Sequence, residues 1–258
     1  MVAEFVPSPP RSREDGRVPA ARSGASARSA DRRRRKGARQ GEDELVELTV
    51  LGATGGTGRQ VVRQALDAGH RVTAVVRDPA RLPVEHPSLE VLVADVTDPH
   101  GLRPALEGRD AVVSALGAHS NRQAREGFVA TATRAVLKAM EAAGVRRLAV
   151  VSAAPVGPAP QGEGLLLRAV VTPLVRVVFR DVYADLAAME RELGSSGAVD
   201  WTVLRPPRLV DKPLTGNYRT GPGTLPGGHS VSRADLAHAL LAVLDDPATV
   251  GKTVGVAY

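Results

Sequence analysis

The chain has 258 residues, with 34 Lys and Arg against 28 Asp and Glu, a formal net charge of +6 and no cysteine. Without a thiol it can hold no disulfide, no cysteine-ligated metal and no thiol nucleophile. Residues 1–41 carry 11 of the basic and 4 of the acidic side chains, leaving 23 and 24 elsewhere. The basic excess therefore does not stand on the folded part, which argues against a nucleic-acid-binding domain.

Residues 1–44 read as a disordered, Arg-rich tail. Ser, Pro, Ala and Gly dominate it, and too few large apolar side chains are present to offset the entropy of ordering it. Its run Arg32-Arg33-Arg34-Arg35-Lys36 reads equally as a solvated charge run or a weak contact for anionic polymers. No apolar stretch here resembles a secretion signal, and Glu14, Asp15 and the prolines weaken the likeness to an organelle transit peptide. The expectation is a cytoplasmic protein with no membrane partner, its oligomeric state left open.

Residues 45–258 read as one domain, and it opens on the run Val46-Glu47-Leu48-Thr49-Val50-Leu51-Gly52-Ala53-Thr54-Gly55-Gly56-Thr57-Gly58. A short apolar strand enters a glycine-rich turn, and the turn opens a helix predicted over 57–68. That arrangement aims unpaired backbone N–H groups and the positive end of a helix dipole at one point, where an anion can sit. Gly52 permits the turn, Gly55 lets the main chain approach a pyrophosphate, and Gly58 lets helix pack on strand. The spacing is one residue longer than G-x-G-x-x-G, and the strand before and helix after favour a dinucleotide site over an ordinary Gly-rich turn. The second strand, 71–76, ends at Arg77, with Arg81 one turn on. Proteins that bind NAD place an acid here for the ribose 2′-OH, whereas a guanidinium fork suits the 2′-phosphate of NADP(H). Asp78, one place late, is still within reach of a ribose.

Further strands are predicted at 89–93, 110–115, 147–152 and 200–204, their near-continuous Val and Leu fitting a parallel sheet covered on both faces. Helices are predicted at 99–107, 123–143, 180–193 and 233–245, with Leu186, Met189 and Leu193 forming a core stripe and Asp185, Glu190 and Glu192 a solvated face. The apolar stretch Leu165 to Phe179 is too short to span a bilayer and reads as a packed helix or lid. Pro- and Gly-rich loops at 153–180 and 205–230 would rim the substrate side. The alternation gives a doubly wound, mainly parallel Rossmann sheet.

Four stretches go further: Gly52 to Gly58, Val76-Arg77-Asp78, Ala94-Asp95-Val96-Thr97-Asp98, and Arg205-Pro206-Pro207-Arg208-Leu209-Val210-Asp211-Lys212-Pro213-Leu214-Thr215-Gly216. Together they resemble the atypical short-chain dehydrogenases with an NAD(P)H-binding, NmrA-like core, most of all the flavin and biliverdin-IX-beta reductases among them. The resemblance implies NADPH held at the glycine turn and reduction of a flat conjugated acceptor, with FMN or FAD among the candidate substrates. It assigns Gly52, Thr54, Gly55, Gly56, Thr57 and Gly58 to the cofactor cradle and Arg77 and Arg81 to the 2′-phosphate. Asp95 and Val96 would flank the adenine, Leu116 and Gly117 would lie along the cofactor, and Ser152 would stand near the nicotinamide as the candidate catalytic residue. Pro207 and Arg208 would line the substrate side.

The departures are informative. Arg208 and Leu186 stand where those reductases have histidines, and Arg208 suits a carboxylate or phosphate on the acceptor. Carbonyl-reducing short-chain dehydrogenases pair a tyrosine with a lysine four residues later, but Tyr183 is followed at that spacing by Ala187. Alcohol–ketone chemistry by that route is disfavoured, and Tyr183 reads as a packing or pocket-wall residue. Hydride transfer by alignment of cofactor and acceptor remains, as does a non-catalytic NADP(H) sensor of the NmrA type. No grouping of residues points to a metal.

Overall fold

A computed structural model of the chain describes residues 45–157, 178–225 and 227–258. The tail and the stretch Leu165 to Phe179, save its last two residues, lie outside them, as does most of the expected loop 153–180. Strands β1 (Glu47–Leu51), β2 (Arg71–Val76), β3 (Leu89–Val93), β4 (Ala111–Ser114), β5 (Arg147–Val151) and β6 (Asp200–Arg205) run parallel in the order β3-β2-β1-β4-β5-β6. The sheet continues through β10 (Lys252–Ala257), parallel to β6, and ends on β8 (Arg219–Pro222), antiparallel to β10. A small parallel pair joins β7 (Arg208–Val210) to β9 (Ser230–Ser232). This is the expected Rossmann sheet. The strand order reverses beside β1, where β2 and β4 lie on either side, the point at which sheets of this kind form a crevice at the carboxyl ends of their strands.

The helices are α1 (Gly56–Asp67), α2 (Pro99–Leu106), α3 (Asn121–Arg125), α4 (Phe128–Ala143), α5 (Arg180–Ser195) and α6 (Arg233–Ala242). Side chains alternate across β1 and so feed two cores. Leu48 and Val50 join Val61, Val62 and Ala65 of α1 and Leu236 and Leu240 of α6 on one face. Leu51 joins Met140 of α4 and Met189 and Leu193 of α5 on the other.

Several expectations need correction. The helix expected over 123–143 is two helices, because Gly127 takes a left-handed φ of 67° between α3 and α4. The one expected over 233–245 ends its α-helical part at Ala242 and tightens into a 3-10 turn at Val243–Asp245. The strand β3 is not covered on both faces: it lies on the edge of the sheet, with Val91 and Val93 exposed. The segment 205–230 is not merely a rim, since β7 and β8 form within it.

Candidate cofactor and substrate site

At the carboxyl end of β1 the chain must turn sharply and start a helix at once. Gly52 has φ 76°, and a Cβ there would fall 2.6 Å from the Ala115 carbonyl oxygen at the end of β4. A Cβ on Gly58 would fall 2.1 Å from the Gly52 carbonyl oxygen, so only glycine lets α1 press onto the turn. Gly55 N–H closes the turn onto Gly52 O at 3.0 Å. Gly56 is accounted for differently: the stem of Arg233, at the start of α6, lies across it, 2.6 Å from where a Cβ would be. The Arg233 guanidinium donates to Asp211 at 2.7 Å and stands beside the opening of α1.

The first amides of α1 are the informative ones. Gly55 provides no side-chain cap, and the N–H groups of Gly56, Thr57 and Gly58 find no acceptor among the described residues. Four other helices are closed by side chains. Asp98 caps α2, Ser120 caps α3 and Ser232 caps α6, each from its own N-cap position. The amides of Val129 and Ala130 in α4 donate to Asp185 of α5 at 3.0 and 2.9 Å. The start of α1 is left with donors, a positive dipole end and no acid in its first turn, which is an anion cradle.

Beside it lies the segment after β2. Asp78 accepts from Ala80 N at 3.1 Å through one carboxylate oxygen and so caps a short 3-10 turn, Pro79–Arg81. Arg77 and Arg81 are exposed, and Arg59 of α1 donates to the Arg81 carbonyl at 3.0 Å, tying this segment to the cradle's helix. Among the described residues none of these three arginines pairs with a carboxylate, and the buried Nε of Arg59 has no partner. Asp95 follows β3. Hydrogen bonds from the Thr97 amide and hydroxyl, and then the charge of Arg77, hold its carboxyl below the usual range. Val96 sends its side chain into the core. Leu116 and Gly117 follow β4 after Ala115, Leu116 half-buried and Gly117 exposed.

On the other side of the crevice, Ser152 is buried just past β5 and donates to Glu190 of α5 at 2.6 Å. Glu190 takes both forks of Arg205 at the end of β6, the Nε contact measuring 3.0 Å. The side chains of Glu190 and Arg205 are 14 % and 12 % exposed, which makes this the most buried ion pair of the described residues. Gly157 leaves room for it, since a Cβ there would lie 2.5 Å from an Arg205 nitrogen. The segments stay joined beyond the strands, through Ser152 N to Leu204 O and Ala154 N to Pro206 O, both at 2.8 Å. Pro207 is half-buried, and Arg208 opens β7 exposed.

The reading of Asp185 and Glu190 as a solvated face is thus wrong. Glu190 lies four residues after Leu186 and three before Leu193, and Asp185 four before Met189, so both sit on the buried stripe of α5. That spacing was the signal available. Glu192 does pair outward, with Arg134. Tyr183 packs half-buried against the second core with its ring near Phe179, as a packing residue does. A cavity of about 460 Å³ opens at the opposite, amino edge, between the ends of α1 and α6, away from this chemistry. Among the described residues no group of side chains is arranged to hold a metal, and no helix is long and apolar enough to cross a membrane.

The family model described as NAD(P)H-binding matches residues 52–247, which begins on the first glycine of the cradle. The chain belongs to the NAD(P)H-binding family. It is 28 % identical to YwnB of Bacillus subtilis over 210 residues, spanning 78 % of this chain and 93 % of YwnB. A Burkholderia pseudomallei protein of solved structure is 26 % identical, with a TM-score of 0.68 over 83 % of this chain and all of the other. The anaerobillin reductase ChuY of Escherichia coli O157:H7 shares the fold at 22 % identity, with a TM-score of 0.66 over 82 % of this chain and 96 % of its own. The NAD(P)H-binding core expected from the sequence agrees with this family.

Proposed function

We propose that this protein is an NADPH-dependent reductase that passes a hydride to a flat, conjugated small-molecule acceptor such as a flavin, a quinone or a tetrapyrrole of the biliverdin kind. The observation that carries the reading is the uncapped start of α1, three free amides facing the crevice at the reversal of strand order. Gly55, Gly56, Thr57 and Gly58 would hold the diphosphate there. Arg77 and Arg81, exposed and in no ion pair among the described residues, suit a 2′-phosphate better than a bare ribose. Asp95 and the Val96 main chain would border the adenine, and Leu116 and Gly117 the middle of the dinucleotide. When bound, NADPH would supply the hydride. With Ala187 in place of a lysine beside Tyr183, the protein offers no tuned phenol acid, so its part is alignment and exclusion of water while solvent supplies the proton. Pro207 would fix the far wall of the acceptor site, and Arg208, exposed and without a described partner, suits an acidic substituent on the acceptor. ChuY demonstrates that the fold accommodates a reductase.

The missing tyrosine–lysine pair also fits an NADP(H) sensor that turns nothing over. Mixing the protein with NADPH and following its absorbance with FMN, a quinone and biliverdin in turn separates the two. The reductase reading expects oxidation with at least one of them, whereas saturable binding without oxidation across a broad acceptor panel points to the sensor.

A further inference from the structure

The Ser152–Glu190–Arg205 cluster is built differently from a proton-donating serine. The Ser152 hydroxyl has one proton, and it is given to Glu190 Oε1 at 2.6 Å. Glu190 is in turn fixed by the Arg205 fork, which engages both of its oxygens. A bidentate guanidinium leaves the carboxylate little freedom to turn away, and the pair is largely withdrawn from water. No described residue donates to Ser152 Oγ, so its lone pairs are what it can offer a ligand past the end of β5.

We infer that Ser152 is a hydrogen-bond acceptor whose polarity is set by Glu190 and Arg205, and that it holds the nicotinamide ring by receiving the N–H of its carboxamide. The inference rests on the proposed dinucleotide site and deepens it. Ser152 touches the cofactor, while Glu190 and Arg205 are positioning residues that act through it. A nicotinamide amide has both a donor and an acceptor, and a serine locked as acceptor selects the donor end, which fixes which way the amide turns. The same arrangement keeps Ser152 from protonating the acceptor.

The test compares three ligands by titration calorimetry on the full chain: NADP, its 3-acetylpyridine analogue, and 2′-phospho-ADP-ribose. The analogue keeps the carbonyl but replaces the amide nitrogen with a methyl group, and the last ligand has no nicotinamide. The wild-type protein should favour NADP over the analogue by about three- to tenfold, the range of one neutral hydrogen bond. Ser152→Ala should abolish that preference while leaving 2′-phospho-ADP-ribose affinity unchanged. Glu190→Met with Arg205→Met removes the pair without orphaning a buried charge and frees the hydroxyl to donate to the carbonyl that both dinucleotides share. The preference should then disappear although the serine remains. Ser152→Ala deletes a single oxygen, so it stays decisive even if the double variant does not fold. A wild-type protein without the preference, or a preference that survives Ser152→Ala or the double variant, overturns the inference. A purely structural cluster would weaken all three ligands alike. Absence of binding by every one removes the dinucleotide site and this inference with it.

Discussion

At the scale of single residues, charge complementarity and hydrogen bonding decide which side chains belong to the site. Arg77 and Arg81 stand exposed beside the cradle in no ion pair among the described residues, although the charge of Arg77 reaches Asp95, so reversing one charge removes attraction and adds repulsion. Arg77→Asp should weaken NADPH binding by about 10- to 100-fold, the range of one lost charge-assisted hydrogen bond, and change NADH little. Equal losses for both, measured by calorimetry, would contradict a 2′-phosphate contact. Asp235 illustrates the opposite case, a carboxylate that serves structure. It is fully buried and takes hydrogen bonds from Tyr258, Ser232, Thr215 and the Gly216 amide, clamping the Pro213–Gly216 segment onto α6. Burial pushes its pKa up, but those donors outweigh burial and bring it from 3.8 to about 2. A depressed folded-state pKa contributes stability that is complete above about 3.8 and drains away as pH falls toward about 2. The contribution is about 2 kcal/mol at neutral pH. Urea midpoints of Asp235→Asn should therefore lie below wild type at pH 7 and converge on it near the acid end, and a pH-independent gap would contradict the assignment. Glycines and terminal arginines were legible in the sequence because their roles are local. Asp235, Glu190 and Arg233 were not, because apart from Ser232 beside Asp235 their partners are 15 or more residues away in sequence and only the fold brings them together.

At the scale of elements, side chains close the starts of α2, α3, α4 and α6 but leave α1 open at the carboxyl edge of the sheet. The start of α4 is closed by Asp185 from α5, whereas among the described residues nothing closes the start of α1. Asp185→Ala should leave two buried amides unsatisfied and cost about 1–3 kcal/mol in urea unfolding. An unchanged midpoint would show that water or another group closes α4. The strands β1 to β6 and five helical stretches could be read from periodicity, since long apolar runs and glycine C-caps are strong signals. The break at Gly127 was missed because one glycine inside an apolar pattern looks tolerable. The strands β7, β8, β9 and β10 were missed because they are short or interrupted by glycine and proline, and their pairing partners are remote.

At the scale of the whole molecule, the sheet order places every site candidate except the exposed Arg208 strand on one edge: the cradle after β1, the arginines after β2, Asp95 after β3, Leu116 and Gly117 after β4, and Ser152 after β5. The two cores hold the α1 and α5 helices against opposite faces, so the anion cradle and the Glu190 cluster are positioned from separate sides of one sheet. All of this depends on a dinucleotide settling on the free amides of α1. Titrating the full chain with NADPH in a calorimeter tests that most directly. A saturable isotherm with one site per chain is expected, and a weaker one for NADH. A flat trace with both nucleotides, reduced and oxidised, would contradict it.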